Sequence, residues 1–173
     1  MTSWQAIATV WRRYYAVYEK NFWFGIVTTF VEPLLYLVSF GIGVGGLVGG
    51  LTSEGVAMSY RQFVFAGIVG QTMLFQGFFE AAYGGFVRMY YQKVFQAIAV
   101  TPVTMSEVLW GELLWDASKA TFASGAVLAI GALAGDFSLT GALAALPFVF
   151  IGSLLFASMG LLAAARSATS AYV

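Results

Sequence analysis

From Leu139 to Ala165 the chain carries no charged side chain. At about 1.5 Å per residue, a helix of that length exceeds the roughly 30 Å hydrocarbon core of a bilayer. A helix satisfies its own backbone within lipid, so such a run reads as a membrane span even with Pro147 inside it. Three segments of similar character precede it, at about 22–47, 62–87 and 105–134. Hydrophobic residues make up 60% of the 173 positions and charged residues 9%. Soluble domains have about 45–50% and 25%, which excludes a water-soluble globule. The expectation is an all-α integral membrane protein, one transmembrane domain over residues 1–173 with four spans and no room for a soluble catalytic domain.

Histidine and cysteine are both absent. That removes disulfides, thiolate and imidazole metal ligands, and the commonest general base. No nucleophile and base stand together on one exposed face, so no catalytic residue, metal site or cofactor is expected on this chain. Zero formal net charge points to no nucleic-acid partner. Gly41, Gly43 and Gly46 match G-x-G-x-x-G, but they follow a membrane segment rather than a strand, and the match is rejected as a dinucleotide site. Gly41, Gly45 and Gly49 are four apart, which suits either a close helix approach or a helix end entering a loop.

The few polar residues carry the remaining information. Residues 2–21 place Trp4, Ile7, Ala8, Trp11, Tyr14, Tyr15 and Tyr18 at helical spacing among Arg12, Arg13, Glu19 and Lys20, as an amphipathic helix in the headgroup region would. With no small-residue cleavage site, it does not read as a signal peptide. Glu32-Pro33 interrupts the first span and favours a kink. Gly50 to Arg61 reads as a short polar loop. In the second span Gln76 and Glu80 lie four apart and share a face. Charge returns between Arg88 and Lys119. Thr101-Pro102 stops one helix. Thr104 and Glu107 have capping-box spacing and start the next. Glu112, Asp116 and Lys119 then fall on one helix face, with Trp110 and Trp115 where an aromatic belt would lie. Lys119 is too deep to stay unpaired, and Asp116, three residues away, is its expected partner. Gly135-Asp136 makes a turn, and Arg166 closes the fourth span. The basic residues Arg12, Arg13, Lys20, Arg88, Lys93 and Arg166 fall on one side of this topology, which puts the N-terminus in the cytoplasm.

The run AVTPVTMSEVLWGELLWDASKA, with its TP break and GE-x-LW entry to a span, resembles the ABC-2 type permeases, the membrane subunits of certain ABC exporters. Together with VEPLLYLVSFGIGVGGLV in the first span, it is most similar to the nodulation-protein-J group, which exports lipo-oligosaccharides. The resemblance covers essentially the whole chain. It implies a bacterial inner-membrane permease and a cytoplasmic coupling helix at about 90–100 that docks on a separate ABC ATPase subunit, where ATP is bound. It also implies a second permease copy, so that two enclose a path for a lipid-linked or amphipathic substrate. Members usually have six spans, so these residues are expected to be the N-terminal two-thirds of such a permease. Tyr91, Lys93, Val94 and Phe95 are the expected ATPase-coupling residues. Glu32, Glu80, Glu112, Asp116 and Lys119 are the expected intramembrane polar contacts. Two other readings of the same residues are a self-contained channel or proton-coupled carrier using the intramembrane carboxylates, and a non-transporting scaffold.

Overall fold

The computed structural model describes residues 2–44, 51–53 and 56–170. In chain order these form α1 (Ser3–Lys20), α2 (Phe22–Tyr36), β1 (Leu51–Ser53), β2 (Val56–Met58), α3 (Tyr60–Tyr91), α4 (Val94–Ala99), α5 (Met105–Leu133) and α6 (Leu139–Ser170). Gly45, Gly46, Gly49 and Glu54, with the end of the expected first span, lie outside the described residues.

The architecture is helical apart from one ladder. In place of the expected plain polar loop, β1 and β2 pair antiparallel, Leu51 opposite Met58 and Ser53 opposite Val56. The β-branched Thr52 and Val56 suit a strand better than a loop. Two helices, α3 and α6, are long and apolar enough to cross a membrane. A third span results if α1 and Gly25–Gly41, bent by 97°, are taken as one. The expected span at 105–134 is not among them, because Glu107, Glu112, Asp116 and Lys119 dilute the apolar character of α5. Its length is ample, at 29 residues or roughly 43 Å.

Local chemistry sets the helix ends. At the start of α5 the Thr104 amide donates to Glu107 Oε2 (2.8 Å) and the Glu107 amide donates to Thr104 Oγ1 (3.4 Å), which is the expected capping box. Ser59 and Gln62 form the same reciprocal pair ahead of α3. Gly135 ends α5 with φ +79°, and the amides of Gly135 and Asp136 donate back to Ala132 and Gly131 in a Schellman arrangement. Arg166 does not end α6, which runs on to Ser170, since nothing in RSATS breaks a helix.

Two helices change their winding. After Pro33, α2 continues over Leu37–Val44 in wider i→i+5 turns, and α3 does the same over Phe75–Gly84 and Val87–Tyr91.

The centre of the bundle is α5, which runs antiparallel to α3 and α6. Phe65, Ile68 and Val69 of α3 pack with Val127 and Leu128 of α5 and with Ala142 and Val149 of α6. Further along α3, small residues let it press against α6. A Cβ on Gly160 would collide with the Phe78 carbonyl oxygen, and one on Gly77 would lie 3.1 Å from the Ser153 carbonyl oxygen. Phe148, Ile151, Leu155, Met159 and Leu162 of α6 are exposed, an apolar surface of the kind lipid covers. At one end of the bundle Arg61 pairs with Asp136 at 2.6 Å. At the other end α1, α4 and the first turns of α5 meet.

Candidate functional site

At that second end, α1 lies against α5 across Gly111. A Cβ there would come within 2.6 Å of the Val10 side chain, so only glycine allows this approach. The contact is aromatic beyond it. Trp115 is buried, meeting Trp11, Tyr14, Tyr15 and Tyr18 with ring centroids 5.7–6.4 Å away. The Trp11 indole donates to Ser118 Oγ at 3.4 Å. Trp115 is therefore not part of a membrane-interface belt, whereas Trp110 is half exposed. The reason is helical spacing: Trp115 shares the inward face with Gly111, and Trp110 does not.

Behind this aromatic wall lies a cluster of ions. Glu112 and Asp116 have no solvent exposure. Arg88, near the end of α3, gives Nε to Glu112 Oε1 at 2.5 Å, with Nη2 on the same oxygen. Arg88 also reaches Asp116 Oδ1 at 3.5 Å and Glu80 Oε1 at 3.7 Å, and its guanidinium lies 5.3 Å from the Tyr14 ring centre. Lys119 Nζ donates to Glu80 Oε2 at 2.7 Å and lies 5.6 Å from the Tyr18 ring. The pairing of Lys119 with Asp116 expected from the sequence gives way to one between helices. A partner on a facing helix meets the ammonium head-on, while i+3 on the same helix serves only a side chain lying along the surface.

Two cations thus face three carboxylates. Buried charge is stable only when paired and hydrogen-bonded. Glu112 and Glu80 meet that condition. Neither oxygen of Asp116 receives a hydrogen bond within the described residues, and the same is true of Glu112 Oε2 and the Tyr14 hydroxyl. On α1, burial raises the Tyr14 phenol far above its usual value, with the Glu112 charge adding to it, so it stays neutral. A cavity of about 440 Å³ opens beside the cluster, between α1 and α3, with Arg13, Tyr18, Asn21, Tyr83 and Gln92 on its walls.

The other expected residues lie elsewhere. Glu32 borders a gap of about 10 Å³ with Gln71, Thr72 and Gln76, room for about one water. Gln76 and Glu80, expected to act as one stripe, therefore serve different neighbours. The helix expected over 90–100 is shorter: residues 90 and 91 still belong to α3, and α4 begins at Val94. Between them Lys93 adopts a left-handed conformation, φ 52° and ψ 29°. Tyr91 is 69% exposed and Lys93 is exposed, but Val94 and Phe95 are buried at 7% and 6%. Phe95 lies beside Met105 and Leu109 of α5 and Ala165 and Ala168 of α6. Val94 and Phe95 hold α4 to this chain and do not project from it, because a helix this short has one face to bury and they occupy it.

Arg88 is the functional residue that reading single helices does not find. A signal for it does exist in the sequence. Glu80 and Arg88 lie two turns apart on one helix, Glu112 and Lys119 lie two turns apart on the next, and the charge order matches only if the helices run antiparallel.

Comparison with known proteins gives the family. The family model for ABC-2 type transporter matches residues 5–172. Nodulation protein J of Rhizobium meliloti (strain 1021) is 35% identical over 169 residues, 98% of this chain and 63% of that protein. The nodulation protein J of Rhizobium leguminosarum bv. viciae is 32% identical over 163 residues, 94% of this chain and 61% of that protein. The chain thus spans about three-fifths of the length of these relatives. No solved structure matches. With the model match running nearly from end to end, the chain belongs to the ABC-2 type transporter family, as a membrane permease domain.

Proposed function

We propose that this chain is the membrane-spanning part of an ATP-driven exporter that moves a lipid-linked saccharide or another amphipathic substrate out of the cytoplasm. ATP is hydrolysed on a separate ABC ATPase subunit. In this reading α2, α3, α5 and α6 are four spans in the cytoplasmic membrane, the N-terminus is cytoplasmic, α1 lies in the headgroup region, and two copies enclose the path. The substrate class rests on likeness to the nodulation protein J relatives.

The observation that carries the coupling role is the construction of α4. A six-residue helix follows a long span, is pinned to the bundle by Val94 and Phe95, and leaves Tyr91 and Lys93 outward. Five residues before Lys93, Arg88 ties the same chain end to buried carboxylates on α5. A push on the outward face therefore reaches the middle of the bundle through rigid parts. The segment 90–100 remains the docking site in this reading, with Tyr91 and Lys93 as contacts and Val94 and Phe95 as its anchors. The test is co-purification of the complete gene product from native membranes with an ATPase assay. An ABC ATPase should co-purify, and Tyr91→Ala with Lys93→Glu should lower its stimulation at least tenfold. Transport without nucleotide that depends on Glu80 or Asp116 would overturn the proposal in favour of a carrier.

A further inference from the structure

The ion cluster has one more strong acceptor than it has cations, and the geometry shows where the surplus lies. Arg88 faces Glu112, and Glu80 faces Lys119. The same antiparallel register sets Asp116 opposite Gly84, which has no side chain to offer it. The space that glycine leaves is filled by the Arg88 guanidinium, folded back along its own helix. A Cβ on Gly84 would lie 2.9 Å from Arg88 Nη1 and 3.2 Å from Nη2. The same Nη2 stands 3.5 Å from Asp116 Oδ1, beyond a strong hydrogen bond, while it touches Glu112.

We propose that Arg88 has two resting positions, one on Glu112 as seen here and one on Asp116 a helical turn further along α5, with Gly84 leaving the room that its guanidinium needs beside them. Glu112 and Asp116 are one turn apart on a single face, so the guanidinium finds an equivalent carboxylate by moving along α5 without leaving the cluster. Each position satisfies one buried carboxylate and releases the other, which makes the pair a two-state element and not a single lock. Because Arg88 precedes α4 by so few residues, the position it takes sets where α4 stands. Arg88, Asp116 and Gly84 are positioning residues in this scheme. Their part in coupling rests on the permease reading above, but the two positions themselves do not.

The chain has no cysteine, so a pair of introduced ones can carry spin labels without background. Gln96→Cys on α4 and Leu133→Cys at the far end of α5 are both exposed and outside the cluster. The inter-label distance is measured by pulsed electron resonance on the full chain in lipid nanodiscs, without nucleotide or partner. Asp116→Asn should narrow the distribution to one population, with Arg88 on Glu112. Glu112→Gln should move it to a second population, its mean displaced by about 2 Å or more, the scale of a helix shift. Should Glu112→Gln fail to fold, Glu112→Asp, which withdraws the first acceptor by one methylene, should move the population the same way. Identical distributions in all variants, or Asp116→Asn following Glu112→Gln, would overturn the two positions. An unaltered ATPase response in Asp116→Asn, with Tyr91→Ala and Lys93→Glu together still lowering it, would overturn their role in coupling while leaving the permease reading standing.

Discussion

Where α3 meets α6, Gly77, Ala81, Ala157 and Gly160 bring two helices so close that no side chain intervenes. Where α3 meets α5, the same helix holds its neighbour through Glu80, Arg88, Glu112, Asp116 and Lys119, all long or charged. The first seam leaves little room, since a Cβ at Gly77 or Gly160 would meet a carbonyl oxygen of the facing helix. The second has three carboxylates for two cations. On the proposal above, one side of α3 is a bearing surface and the other is a place where its position can be reset, a division that suits a helix leading into α4.

Breaking the polar seam should have the largest effect. Arg88→Leu leaves Glu112 and Asp116 buried without a cation and should destabilise by about 3–5 kcal/mol, read from thermal unfolding in detergent. The 2.6 Å pair between Arg61 and Asp136 is the control, since the Arg61 side chain is half exposed. Arg61→Leu should cost less than about 1 kcal/mol. If the two variants melt alike, the Arg88 cluster is a surface ion pair in effect and its buried description is wrong.

Breaking the apolar seam comes next. Gly160→Val places a methyl-bearing Cβ against the Phe78 carbonyl and should cost about 3 kcal/mol, the upper end for overpacking. Gly67→Val, on the same helix bundle where a Cβ would meet nothing, should differ little from the parent. A smaller, local loss is expected from Phe95→Ala. Amide exchange over residues 94–99 should quicken about 100-fold as α4 loses its anchor, while the middle of α5 keeps its protection. The smallest effect is a gain. Among the described residues Lys93 is the non-glycine residue with positive φ, and Lys93→Gly should relieve about 0.5–1 kcal/mol while removing the charge that the proposed ATPase contact uses. Stability rising as ATPase stimulation falls would separate the two roles of that residue.

Features set by neighbours in sequence are legible from the residues alone. The Thr104–Glu107 cap, the Gly135 turn, the amphipathic α1 and the inward face of Glu112, Asp116 and Lys119 all follow from spacings of three to seven residues. Features set by neighbours in space are not. Helical periodicity says that Lys119 points inward but not that Glu80 waits opposite, and it marks Trp115 as aromatic without revealing that α1 covers it. The same limit applies to Val94 and Phe95. Their apolar character is equally consistent with gripping a partner and with gripping their own chain, and only their burial in the fold decides it. The extent of α5 as a helix follows from its residues, while the tertiary contacts that compensate its charges are invisible in a hydropathy count.

The proposed coupling role turns on which face of α4 would meet the ATPase. Single cysteines placed at Tyr91, Lys93, Gln96 and, as the buried control, Phe95 can be cross-linked in membranes to the co-expressed ATPase subunit with a short thiol-to-amine reagent. Adducts at 91, 93 and 96 with none at 95 are the predicted result. Adducts from Phe95 equal to those from Tyr91, or none from any of the four while a cysteine near Arg61 reacts, would contradict it.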